Sequence, residues 1–172
     1  MPNNFTKEFL EQSIYRINES TGRIKKCFDQ IDEKEIWEFP NENTNSIGNL
    51  VLHLCGNTRQ YIISALGSKE DTRERDKEFL KNIVMAKEAL LNKLIETTSE
   101  ATAIITNLDE IKLEKIYSVQ GFNLSGIGII IHVTEHYSYH TGQIAFWTKQ
   151  LKNHDLGFYA NIDLNKKNKK GN

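Results

Sequence analysis

Leu10, Ile14, Ile17, Thr21, Ile24 and Phe28 recur at alternating intervals of four and three residues, the spacing that gathers side chains on one stripe of an α-helix. The pattern breaks in EFPNENTNS, where Pro40 and a run of polar residues predict a loop. Ser46 can cap a second helix with Ile47, Leu50, Leu54, Thr58, Tyr61 and Ala65 along its inner face and Gly67 just past its end. The charged segment SKEDTRERDKEF carries no period and predicts a crossing loop. A third stripe then runs through Phe79, Ile83, Ala86, Leu90, Leu94 and Ala101. From Glu110 to Gly126 the helical pattern lapses, and IYSVQGFNLSG predicts an extended excursion. Ser125 can cap a last helix, with Ile129, Val133, His136, His140, Ile144, Trp147 and Leu151 on one face.

Four helices of this kind define an all-α chain, and its 172 residues suit one domain, over 1–165, followed by a polar tail at 166–172. Ten glycines and two prolines make about 7% of the chain against roughly 12% in average usage, which fits few, long helices. The 22 basic residues nearly balance the 23 acidic ones, so no field favours nucleic acid or an anionic membrane surface. The start, MPNNFTKEFLEQ, lacks the apolar run of a signal peptide, and IGIIIHV is too short to span a bilayer. A cytoplasmic location is expected. Cys27 and Cys55 are then free thiols in preference to a disulfide. Cys55 also lies about 200° around the helix from His53, so it is not expected to share a ligand with it.

Two histidines, His136 and His140, stand on the stripe read as inward-facing, one helical turn apart. Imidazoles at i and i+4 lie roughly 5–6 Å apart, close enough to converge on one ion with bonds of about 2.0–2.1 Å. A core histidine with a hydrogen-bond partner is the plainer reading of such a pair. His132 lies a further turn back, and at about 1.5 Å per residue it stands about 12 Å from His140 along the axis, too far to share an ion with it. The pair is therefore His132 with His136 or His136 with His140. A third ligand has to come from another helix, where His53 is the natural candidate, beside Asn49 and Asn57.

The stretch EHYSYHTGQI, following HLCGN on an earlier helix, resembles the DinB/YfiT-like four-helix bundles of bacteria. NSIGNLVLHLCGNTRQYI and DTRERDKEF also resemble an uncharacterised DinB-like subfamily, and the likeness covers nearly the whole chain. In that family a histidine of the second helix joins a His-x-x-x-His pair of the last. The resemblance therefore implies a divalent metal held by His53, His136 and His140, with an up, down, down, up helix order and a homodimer. His132, Gln143 and Asn57 are the residues expected to support or line that site, and Gly142 to allow close approach of a neighbouring helix.

Three neutral imidazoles leave a coordination position open, as reactive sites do. Zinc or nickel is favoured, with iron or manganese as alternatives, because the donor set suits them all. The resemblance implies a metal-dependent transferase using a low-molecular-weight thiol on a small-molecule substrate. A metal-dependent hydrolase, with Glu135 or His132 moving protons, and a non-catalytic, stress-related metal-binding bundle are the alternatives.

Overall fold

A computed structural model describes residues 4–83 and 85–169. Its long helices are α1 (Asn4–Phe28), α2 (Ile47–Thr58), α3 (Lys87–Thr106) and α5 (Gly126–Lys152). Between α3 and α5 come a short α4 (Glu110–Glu114) and an antiparallel hairpin of β1 (Ile116–Val119) and β2 (Phe122–Ser125). Helix α1 packs against α3 and α5, and α2 packs against the same two, so all four face one core. Leu10, Ile17, Ile24 and Phe28 of α1 are buried there, as their spacing predicts.

The second helix begins where Ser46 predicts. The Ser46 side chain accepts from the Asn49 backbone N–H, and Asn49 reciprocates to the Ser46 N–H, completing a capping box. Past Thr58 the helix widens into a π-helical stretch, Arg59–Leu66, closed by a Gly67 N–H to Ile62 C=O bond of 2.9 Å. The wider turn shifts the buried face from Ala65 to Tyr61, Ile62, Ile63 and Leu66.

Three other expectations change. The third helix starts at Lys87, and Phe79 instead ends a 3-10 turn, Arg75–Phe79, while Ile83 lies in the connection that follows. The stretch from Glu110 is extended only in the hairpin, since Asp109 caps α4 by accepting from the Lys112 N–H. The hairpin turns at Gln120 and Gly121, both with positive φ (51° and 81°), which glycine adopts freely. On α5 the buried stripe is Ile129, Val133, Tyr137, Thr141, Ile144 and Thr148, not the line through His136 and His140, which are half-buried beside it. Thr141 and Thr148 pass as core residues because each hydroxyl donates to the carbonyl four residues back, at 2.8 Å.

Cys27 and Cys55 are free and buried. Among the described residues no helix is long and apolar enough to cross a membrane. Residues 166–169 of the expected tail are exposed, and its last three positions lie outside the described residues.

Candidate metal centre

The fold brings His53 of α2 against His136 and His140 of α5. Their ligand atoms lie within 4.8 Å of one another. Nε2 of His136 stands 3.0 Å from Nε2 of His53 and 3.2 Å from Nε2 of His140. Donors bound tetrahedrally at about 2.0–2.1 Å from one ion would be about 3.3 Å apart, close to these separations.

The other ring nitrogens decide what those three atoms can be. His53 Nδ1 lies 2.8 Å from Oε2 of Glu78 and 3.2 Å from Nη2 of Arg73. The ionised carboxylate only accepts and is the nearer, and Arg73 Nη2 has Glu78 Oε2 at 2.9 Å to donate to, so Nδ1 carries the proton and Nε2 a lone pair. His140 Nδ1 lies 2.7 Å from Oε1 of Gln143, which fixes the same tautomer. Two lone pairs thus face His136 Nε2, which has at most one proton to offer. His136 Nδ1 is buried without a hydrogen-bond partner. Three imidazole nitrogens so disposed leave a lone pair unsatisfied unless a cation sits among them, and the residues therefore fit a divalent metal.

The electrostatics favour the neutral form of the rings on α5. Burial, reinforced by the neighbouring His140, His53 and His132 and by Arg73, pushes His136 down to about 3. Burial also lowers His140 and His132, against opposing contributions from Gln143 and Glu135 respectively. Glu78 moves the other way from what its own burial favours. The Arg73 and His53 hydrogen bonds and charges outweigh desolvation and hold its carboxyl below the usual range.

Glu78 and Arg73 were not singled out as site residues by the sequence, where they sit in a segment that reads as a solvated loop. Arg73, with a side chain only 2% exposed, donates from Nε to Oε1 (2.8 Å) and from Nη2 to Oε2 (2.9 Å) of Glu78. It also donates to Gln60. The strap carrying Glu78 is held down by Asn49, whose Nδ2 donates to the carbonyls of Glu78 and Leu80. Gly56 leaves the room this needs, since a Cβ there would overlap the Glu78 carboxylate.

The remaining expected residues divide. Gln143 touches His140 as described, whereas Asn57 reaches His132 Nε2 (3.3 Å) and none of the three clustered rings. His132 stacks between Tyr61 (4.4 Å) and His136 (5.6 Å), behind the cluster. Gly142 is exposed with open space where a Cβ would stand, so close helix packing does not explain it. Glu135 lines a groove between α1 and α5 and not either cleft at the histidines. Tyr139, Phe146 and Trp147 line the larger of the two clefts beside the histidines, while Tyr137 is buried with its hydroxyl 2.8 Å from Thr21 Oγ1 and 3.1 Å from Thr98 Oγ1.

Solved structures share this architecture. A DinB-like protein, YjoA, from Bacillus subtilis aligns with a TM-score of 0.64 at 17% identity, over 84% of this chain and 93% of its own. A conserved protein from Enterococcus faecalis aligns at 0.69 and 13% identity, over 84% and 97%. A DinB-like protein from Bacillus cereus aligns at 0.64 and 14%, over 83% and 90%. No curated protein matches the sequence significantly. The family model described as "Protein of unknown function (DUF1572)" matches residues 4–163. With that match spanning all the long helices and the histidine cluster, the chain belongs to the DUF1572 family and has the fold of DinB-like proteins.

Proposed function

We propose that the protein is a metal-dependent enzyme in which His53, His136 and His140 hold one divalent ion, zinc or nickel before iron or manganese, and that it transfers a low-molecular-weight thiol to a small electrophile. The observation that carries the metal is the convergence of three Nε2 atoms whose partner nitrogens on His53 and His140 already donate to Glu78 and Gln143. Such an ion lowers the pKa of a bound thiol or water. The proposal extends to the up, down, down, up helix order and a homodimer, in line with the resemblance to DinB/YfiT-like bundles, and to a cytoplasmic setting.

Thiol transfer is favoured over hydrolysis by what surrounds the ligands. Among the described residues, neither cleft beside the histidines is lined by a carboxylate that could act as general base, and Glu78 is committed to His53 and Arg73. A thiolate attacks without such a base. The larger cleft offers apolar surface from Leu50, Phe79, Phe146 and Trp147, against which the hydrocarbon of a small electrophile can pack.

Purified protein loaded with zinc or nickel is expected to consume mercaptoethanol when given monobromobimane or chlorodinitrobenzene, above the rate without protein. Loss of this activity in His53→Ala supports the assignment. An equal rate in that variant overturns it, and metal-dependent turnover of an ester or lactam with no thiol present would establish the hydrolase in its place.

A further inference from the structure

Two clefts approach the histidine cluster. The larger, about 860 Å³, is walled by His53 and His140, and the smaller, about 400 Å³, by His53, His136 and His132. Arg75 lines both. Neither is lined by an aspartate or glutamate among the described residues, and with Arg73 paired to Glu78 the charge left on their walls is that of Arg75.

The two arginines of this region differ in what they are free to do. Arg73 is buried and spent on Glu78 and Gln60. Arg75 is exposed, and its guanidinium lies 5.0 Å over the ring of Phe79, with no carboxylate partner among the described residues. That same ring lies 4.9 Å from the ring of His53, so Arg75 stands one aromatic side chain away from a candidate ligand. A guanidinium stacked on an aromatic face is held in place while its N–H fork still points outward, ready for a bidentate anion.

We infer that Arg75 anchors an anionic group of a small organic substrate whose other end reaches the metal through the larger cleft, so that the site selects organic acids over neutral or cationic molecules. This rests on the metal reading above. The intervening hydrocarbon packs on Phe79, Phe146 and Trp147, and the asparagines at positions 41, 43 and 45 supply amides at the rim. The anion is a carboxylate or a phosphate ester, which a guanidinium binds in the same way.

The test uses the full chain loaded with cobalt(II), whose d–d bands report metal binding and whose sulfur charge-transfer band reports thiolate binding. Three thiols are titrated: mercaptopropionate, mercaptoethanol and cysteamine. Mercaptopropionate is expected to bind about tenfold more tightly than mercaptoethanol, the value of one added charge-assisted pair. Arg75→Ala should abolish the preference and Arg75→Glu should turn it toward cysteamine, with cobalt affinity unchanged in both. Competition by propionate or by inorganic phosphate then tells which anion the arginine prefers. Equal preference in wild type and Arg75→Ala, with the cobalt bands intact, overturns this inference and leaves the metal centre standing. Absence of the cobalt bands in the wild type overturns both.

Discussion

Nδ1 of His53 lies 2.8 Å from Oε2 of Glu78, and both oxygens of that carboxylate are held by the buried Arg73. The bond does two things at once: it sets the tautomer that frees Nε2 and fixes the plane of the ring. Glu78→Gln keeps the shape and removes the charge. The amide can still accept from Nδ1, but Arg73 loses its partner, so metal affinity should fall about 10–100-fold. A chelator-competition titration measures this, and an unchanged Kd would show that Glu78 serves only Arg73.

Metal should stabilise the fold, because the rings form no such cluster in an unfolded chain. At an ion concentration of about 100 Kd the gain is about 2.7 kcal/mol. For a chain of this length that corresponds to a rise in Tm of about 5–10 °C. His136→Ala should erase the rise, since His136 stands between the other two Nε2 atoms. His132→Ala should keep it, because His132 faces Asn57 and Tyr61. Loss of the rise in both variants, with His140→Ala keeping it, would make His132 and His136 the working pair.

That choice shows where the sequence is informative. The stripe of α1 through Ile17 and Ile24 is legible because apolar side chains announce burial, and Ser46 is legible because a cap is a local device. The true core face of α5 is disguised, since Thr141 and Thr148 hide their hydroxyls on their own helix and read as surface. Tyr137, one residue off the stripe read through the histidines, belongs to that core face and is buried with its hydroxyl on Thr21 and Thr98. Spacing alone leaves His132 and His140 as rivals; the resemblance to DinB/YfiT-like bundles favours His140, and the tertiary position of His53 groups it with His136 and His140. Glu78 is invisible because its charge is satisfied by residues five and 25 positions away, which no linear pattern records.

Acid should weaken the metal-free fold. Burial lowers His132, His136 and His140, the second to about 3, while unfolded histidine titrates near about 6.5. Between those values the unfolded chain holds more protons than the native one, so stability rises with pH across that window and falls as pH drops through it. Above it, the full stability is present. Denaturant midpoints are therefore expected to decline steadily from about pH 7 to about pH 5, and His136→Phe should flatten the slope. A midpoint independent of pH in that range would mean that the rings are solvated.

Asn49 ties the start of α2 to the strap that carries Glu78. Its Oδ1 accepts from the Ser46 N–H and hydroxyl, and its Nδ2 donates to the Glu78 and Leu80 carbonyls, all from a fully buried position. Asn49→Ala strands these groups away from water and should cost about 2–3 kcal/mol. Metal affinity should drop with it, because the backbone that presents Glu78 to His53 is no longer held. Asn49→Asp separates the two effects. It retains an oxygen for the Ser46 side of the cap but turns an acceptor toward the two carbonyls, so the helix start survives while the strap is repelled. Thermal melts and metal titrations on both variants should then show Asn49→Asp matching Asn49→Ala in lost metal affinity. An Asn49→Asp variant with wild-type metal affinity would mean that Arg73 alone positions Glu78.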